Sequence, residues 1–166
     1  MRLNLQAIIH VPGAAIPFAF QMDLSAQEIY GERPIQEPLS VSGTVRNSAG
    51  VLMLEGEATA ELELVCDRCM KPFRRVKKVP LKFLLAQELA GEEVDEIVLL
   101  DGEELDVGEL AFTAFILEMD TKNLCSEDCK GLCPGCGANL NEEACRCKPE
   151  VDPRWAALSQ LLDKTE

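Results

Sequence analysis

The residues of this chain with the most chemistry to offer are its eight cysteines. They fall as Cys66-x2-Cys69 and then Cys125-x3-Cys129-x3-Cys133-x2-Cys136-x8-Cys145-x-Cys147. A Cys-x-x-Cys on a tight turn sets two thiolates side by side and aims backbone N–H groups at the sulfurs, which makes half of a tetrahedral zinc site. Cys133-Pro134-Gly135-Cys136-Gly137 has this knuckle composition. The proline sets the approach to the turn, and Gly137 permits a left-handed exit. Cys145 and Cys147 can supply the other half from a short returning segment. Cys133, Cys136, Cys145 and Cys147 then close a zinc site within 15 residues, at little loop-closure cost. The remaining four, Cys66, Cys69, Cys125 and Cys129, suffice for a second structural zinc site that would staple the Cys-rich tail to the rest of the chain. Two alternatives stay open from spacing alone: an incomplete or empty second site, or Cys125 or Cys129 replacing a ligand of the first.

Other chemistries fit less well. Cys129-x3-Cys133-x2-Cys136 matches the spacing of radical-SAM cluster ligands, but 166 residues of mostly β pattern cannot build the barrel such enzymes need. A redox-active Cys-x-x-Cys belongs at a helix N-terminus in a βαβ setting. Cys66-Asp67-Arg68-Cys69 instead lies between two strand patterns. A catalytic zinc favours His or carboxylate ligands with one open position, and the sole histidine, His10, sits in a strand-like stretch and reads as a surface residue. There is no Gly-rich phosphate loop and no Ser/His/Asp set. Glu92, Glu93, Asp95 and Glu96 read as a solvated acidic loop rather than a cation site. The chain is expected not to be an enzyme and to have no small-molecule substrate.

The net charge is −13, which at face value opposes nucleic-acid binding. Its distribution changes that. Residues 1–87 carry ten Lys/Arg and nine Asp/Glu, residues 88–128 carry fourteen acids and the single base Lys122, and residues 129–166 carry five bases and six acids. Beside the acidic block lies a basic stripe: Arg68, Lys71, Arg74, Arg75, Lys77, Lys78 and Lys82, facing only Asp67 within 67–82. The stripe reads as a Lys-protected strand edge, as a phosphate-contacting RNA patch, or as a docking face for the chain's own acidic segment. No apolar run approaches the ~20 residues that cross a bilayer, and the N-terminus lacks a secretory pattern. A cytoplasmic protein with reduced, metal-holding thiols is expected, with no membrane partner.

The elements that must position these residues are mostly strands. Leu3, Leu5, Ala7, Ile9 and Val11 alternate with mostly polar neighbours, and Ile16, Phe18, Phe20, Met22 and Leu24 repeat the pattern, with Pro17 suggesting an edge position. Leu39, Val41, Gly43 and Val45 precede a hairpin loop at Asn47-Ser48-Ala49-Gly50. Leu52, Leu54, Gly56, Ala58, Ala60, Leu62 and Leu64 share one parity, and Glu55, Glu57, Glu61 and Glu63 the other. Residues 73–85 form the return strand, with a change of parity near Val76 that suggests a bulge, so Cys66 and Cys69 sit at a hairpin tip. Ile97–Leu100 is a short strand. Asp106-Val107-Gly108-Glu109 is a capping box that starts a helix near 107–119, with Val107, Leu110, Ala114 and Leu117 as its stripe. Residues 120–150 have no apolar period. Asp152-Pro153 opens a last helix bearing Trp155, Leu158, Leu161 and Leu162. The expected fold is α+β: a small antiparallel β-meander or split-barrel domain over 1–120 with one packed helix, then a Cys-rich zinc-knuckle segment and a C-terminal helix over 121–166.

With these motifs in hand, Cys66-Asp67-Arg68-Cys69-Met70-Lys71-Pro72-Phe73 resembles the Cys-x-Arg-Cys-x-x-Pro-Phe motif of the YceD family, bacterial and plastid proteins known as large ribosomal RNA subunit accumulation proteins. Residues 125–147, with Asp128-Cys129-Lys130-Gly131-Leu132-Cys133-Pro134-Gly135-Cys136-Gly137 and Asn139-Leu140-Asn141, are similar to the family's C-terminal signature, as is Asp152-Pro153-Arg154-Trp155. The resemblance runs from about residue 39 to the end. It implies a role in accumulation or processing of large-subunit (23S) ribosomal RNA, hence ribosome biogenesis, and no enzymatic activity. Some members keep the hairpin motif and lack the Gly-Leu-Cys-Pro cluster, which fits two separable sites. The partner would be precursor large-subunit RNA bound through the basic stripe. The alternative is a basic large-subunit ribosomal protein held by acidic residues such as Glu92, Glu93, Glu103 and Glu104, without contact to RNA.

Overall fold

The computed structural model describes residues 1–87 and 97–147. The terminal helix pattern around Trp155 and the acidic run Glu92, Glu93, Asp95 and Glu96 lie outside the described residues. The architecture is α+β, and its centre is a five-stranded sheet in the order β2-β3-β4-β5-β6. The strands are β2 (Ala15–Met22), β3 (Leu39–Ser48), β4 (Val51–Val65), β5 (Pro72–Ala86) and β6 (Ile97–Leu99). The first four run as an antiparallel meander, and β6 joins parallel to β5. Among the described residues no pairing joins β2 to β6, so the sheet is open rather than a closed or split barrel. A second, two-stranded sheet pairs β1 (Arg2–Asn4) with β7 (Glu104–Asp106). Pro17 lies on β2, an edge strand, where its missing N–H costs no ladder bond.

The parity seen in β4 is the burial pattern observed: Leu52, Leu54, Ala58, Ala60, Leu62 and Leu64 are all buried. β4 and β5 pair without interruption from Leu52↔Leu85 to Val65↔Pro72, so there is no bulge at Val76. The change of parity has another cause. Arg75 and Lys77 keep the inward parity of Phe73, Val79 and Leu81, and the structure places two cations where a periodicity argument looks for apolar residues. At the β3–β4 turn, Ala49 and Gly50 hold φ of 52° and 95°, the two-residue geometry that matches strand twist. Gly43 and Gly56 face each other across β3 and β4. A Cβ on Gly43 would lie 2.7 Å from the Phe18 ring and from the Gly56 Cα, so the aromatic ring occupies the space the glycines leave.

The first expected strand is replaced by β1 and one helical turn, α1 (Gln6–Ile9). Leu5, Ile8 and Ile9 are buried while Ala7 and Val11 are exposed. That is an i, i+3, i+4 set which adds Ile8, an apolar residue of the opposite parity, and a turn of helix buries all three where a strand could not. Two carbonyls at the C-terminal end of α1 accept from Asn47, which is 0% exposed. Its Nδ2 donates to the Ile8 and Ile9 oxygens, each at 2.8 Å, and its Oδ1 accepts from the Gly50 N–H at 2.9 Å. Asn47 therefore belongs to β3 rather than to the loop, and it anchors α1 to the hairpin.

The helix α2 (Val107–Leu117) begins at the expected cap, with the Asp106 carboxylate accepting from the Glu109 N–H at 3.1 Å. It ends at Leu117; of the expected stripe Val107 is buried and Leu110 and Ala114 pack partly buried against the core, while Gly108, Ala111 and Phe115 complete the buried face and Leu117 is left outside it. Leu117 is 80% exposed. Apolar residues occur on every side of this helix, so periodicity could not choose a face, and Phe115 takes the core position. The Glu109 N–H bond holds the Asp106 carboxyl below its ordinary value of 3.8. Replacing Asp106 with Ala should cost about 1 kcal/mol in urea unfolding at neutral pH. A folded value below the unfolded one stabilises fully above about 3.8 and is lost as pH falls through the folded value. The difference between the native chain and D106A should therefore shrink on acidification below that point.

Candidate metal centres

The six residues between β4 and β5 fold as a knuckle. The Cys66 N–H donates to Lys71 O at 3.0 Å, and the Met70 N–H donates to Cys66 O at 2.8 Å. The same pair of bonds recurs at the second Cys-x-x-Cys: the Cys133 N–H to Ala138 O at 2.8 Å, and the Gly137 N–H to Cys133 O at 2.9 Å. The residue after the second cysteine is left-handed in both, with φ of 57° at Met70 and 73° at Gly137. Gly137 adopts this freely, whereas for a residue with a Cβ it costs roughly 1–2 kcal/mol.

Each knuckle faces a second cysteine pair. Cys66, Cys69, Cys125 and Cys129 bring their sulfurs within 4.8 Å of one another, and so do Cys133, Cys136, Cys145 and Cys147. The fold thus groups Cys125 and Cys129 with the hairpin cysteines, and neither enters the other cluster. In the first cluster the Cys66–Cys129 sulfurs are 3.8 Å apart and the Cys69–Cys125 sulfurs 3.6 Å. A tetrahedron with metal–sulfur bonds of about 2.3 Å has edges of about 3.8 Å, so four thiolates here fit Zn²⁺ or a single iron. In the second, Cys133 lies 3.2 Å from Cys145 and 3.9 Å from Cys147, and Cys136 lies 4.0 Å from Cys145. All eight are free thiols, since a disulfide needs about 2.05 Å.

The two clusters differ in cover. Cys66, Cys69 and Cys129 are buried against Phe73 and Leu124, while Cys136, Cys145 and Cys147 are exposed. Hydrogen bonds hold the segment after α2 against the hairpin tip. The Asp67 N–H donates to Asn123 O at 2.8 Å, the Asn123 N–H to Asp67 Oδ2 at 2.6 Å, and Arg68 Nη1 to Cys129 O at 2.8 Å. Arg75 Nη2 donates to Leu124 O. The loop of the second cluster reaches back over the first. Asn141 Nδ2 donates to Cys129 Sγ at 3.4 Å, and its Oδ1 accepts from the Lys130 N–H at 2.8 Å.

Backbone N–H groups aimed at sulfur favour the thiolate. The Cys125 N–H is the main cause that lowers Cys66 to about 6, and the Cys136 N–H likewise lowers Cys133 to about 6. Burial pushes Cys129 up, but the Asn141 amide and the Gly131 N–H outweigh it and leave the thiol below its usual range. Burial and the neighbouring thiols raise Cys125 to about 12, and Cys136 foremost raises Cys147 to about 12. Four sulfurs cannot all ionise at this spacing without a cation among them.

The basic stripe is largely spoken for. Arg74 pairs with Glu61 and Glu63, Lys78 with Glu57, and Lys71 with Glu142. Arg75 and Lys77 both reach Asp120 beyond α2, and the Lys77 side chain is only 18% exposed. Arg68 is held by the Glu127 and Cys129 carbonyls. Lys82 stands opposite Glu55 in the β4–β5 register. The docking of the stripe on the acidic segment is thus seen at Asp120, and the outer face of the hairpin carries cations and carboxylates side by side.

Comparison with known proteins bears on the same span. The sequence profile of the family described as Large ribosomal RNA subunit accumulation protein YceD matches residues 54–162, which include all eight cysteines, β5 and all but the first three residues of β4. The chain belongs to the YceD family. An uncharacterized protein of Mycobacterium tuberculosis is 35% identical over 119 residues, 69% of this chain and 57% of the relative. The Zea mays protein named Large ribosomal RNA subunit accumulation protein YCED homolog 1, chloroplastic, is 28% identical over 72% of this chain and 51% of its own length. The Arabidopsis thaliana protein of the same name is 25% identical over 89% of this chain and 56% of its own. The chain thus spans little more than half the length of these curated relatives. No solved structure matches. Among the described residues no helix is long and apolar enough to cross a membrane.

Sequence reasoning missed Asn141 as a contact of the first cluster. The signal lay in Asn139-Leu140-Asn141, quoted only for its resemblance to the YceD signature; nothing in spacing says that its amide reaches a cysteine of the other knuckle. Replacing Asn141 with Ala, which leaves all eight cysteines in place, should weaken metal retention at Cys66, Cys69, Cys125 and Cys129 by about tenfold, the range for loss of an outer-shell partner. A competition titration against a colorimetric chelator measures it.

Proposed function

We propose that this chain is a non-enzymatic factor in the accumulation or processing of large-subunit (23S) ribosomal RNA, acting in the cytoplasm and stabilised by two structural zinc ions. The observation that carries this reading is the pair of closed four-cysteine clusters within the span that matches the YceD family. Four thiolates fill a tetrahedral zinc ion completely and leave no position for substrate, so the metal supplies a crosslink rather than a reaction. Zinc is favoured over iron because a closed four-cysteine site is the usual structural zinc arrangement and a crosslink calls for no change of oxidation state. The division at residue 120 follows: the apolar core lies in the sheet and α2, and the Cys-rich segment depends on metal.

Of the two partners considered, the charge pairing favours a basic ribosomal protein over direct RNA contact. Six of the seven basic side chains of the stripe are engaged within the chain, whereas phosphate recognition needs cations free to exchange counterions. Native mass spectrometry should find two colourless zinc ions per chain. Chelation should abolish the chemical-shift dispersion of residues beyond 120 and leave the amide protection of β3 to β5 largely intact; equal loss in both would defeat the division. In cells depleted of the protein, 23S ribosomal RNA should fall relative to 16S, and the Lys78→Gln, Lys82→Gln double variant should restore it as well as the native chain. If the variant fails while remaining folded, RNA contact through the stripe regains the lead.

A further inference from the structure

Three non-glycine residues among those described hold positive φ: Tyr30 at 53°, Ala49 at 52° and Met70 at 57°. Ala49 belongs to the β3–β4 turn and carries only a methyl group. Tyr30 and Met70 carry large side chains, 73% and 62% exposed, and they line one cavity of about 350 Å³. Glycine would serve the fold at either place. Tyr30-Gly31 is the two-residue turn of a bridge in which the Ile29 N–H donates to Glu32 O at 2.8 Å and the Glu32 N–H to Ile29 O at 3.1 Å. Met70 occupies the knuckle position that Gly137 holds in the other site. Exposed side chains add little to the core, so backbone strain at both points indicates a use for this surface.

The cavity lies where the β2–β3 connection, the hairpin tip and the segment after α2 meet. Ile29, Leu64 and Met119 give it an apolar floor, and its charged lining is Glu32, Asp67 and Asp120, with no Lys, Arg or His. Asp120 is committed to Arg75 and Lys77. Asp67 accepts a backbone N–H through Oδ2, and neither Asp67 nor Glu32 forms an ion pair among the described residues. We propose that this cavity docks a lysine or arginine side chain of a basic protein segment. The aliphatic stem would lie along Met70 and Ile29, and the cation would meet Glu32, Asp67 and the face of Tyr30. The proposal supplies the contact surface for the basic partner named above and rests on that reading. Phosphate is disfavoured by three carboxylates in the lining.

The test uses the full chain, metal-loaded, titrated by fluorescence anisotropy with a short labelled peptide of alternating arginine and glycine, and separately with an oligouridylate. The native chain should bind the peptide. Tyr30→Gly and Met70→Gly should each weaken it roughly tenfold or more, and M70G should melt no lower than the native chain because glycine relieves the left-handed backbone. Glu32→Gln should weaken the peptide and flatten its salt dependence. Peptide affinity unchanged in both glycine variants would overturn the cavity and leave the protein-partner reading standing. Failure of the native chain to bind the peptide would overturn both. A response of oligouridylate rather than peptide to the two substitutions would make the cavity a nucleobase site and overturn the proposal.

Discussion

Four sulfurs held within 4.8 Å of one another join parts of the chain that are 56 and 63 residues apart, and the described segment after α2 meets the hairpin tip at that junction. On the loop-entropy scale for crosslinks, such a separation removes roughly 4 kcal/mol of freedom from the unfolded chain. Among the described residues, Phe73 and Leu124 are the apolar side chains packed around the buried sulfurs. A cluster with so little apolar cover cannot hold by burial, because ionised thiolates repel and neutral ones gain little. A cation held among the sulfurs would offset that repulsion, and the paired hydrogen bonds at Asp67 and Asn123 give the segment its register.

Once the junction exists, the charge distribution reads differently. The basic stripe and the acidic block are adjacent in sequence and meet in space at Asp120, which receives Arg75 and Lys77 from the inward parity of β5. Exposed ion pairs of this kind contribute little stability individually. Their effect is to specify which face of β5 meets the segment after α2, and to leave charged residues along the stretch of β5 that β6 does not cover. That stretch is a strand edge, and lysines along an edge discourage pairing with another chain.

The two knuckles share their hydrogen bonds and differ in their last residue. Gly137 takes the left-handed position without penalty, while Met70 takes the same position with an exposed thioether beside Tyr30. Equivalent geometry with an unfavourable residue in one copy separates what folding requires from what it merely tolerates. The same contrast appears in cover: the hairpin cluster is enclosed and receives the Asn141 amide, and the C-terminal cluster is open to solvent on three of its four cysteines.

The sequence alone determined the β4–β5 hairpin, the cap of α2 and the two Cys-x-x-Cys turns. Each rests on a local rule: period-two burial, side-chain capping within four residues, and ligand spacing on a turn. Which cysteines complete each cluster was left open by spacing and decided by the fold. Tertiary structure decided what those rules leave degenerate. Leu5 and Ile9 fit both a strand and a helix period, whereas the burial of Ile8 between them fits the helix, which the Asn47 amide anchors. α2 is apolar on several sides, so packing of Phe115 chose its face. Arg75 and Lys77 broke the alternation of β5 because their partner, Asp120, lies beyond a helix that periodicity cannot place. The contact of Asn141 with Cys129 and the shared cavity of Tyr30 and Met70 likewise join segments whose distance in sequence carries no signal, since side-chain proximity across a fold is set by the packing of whole elements.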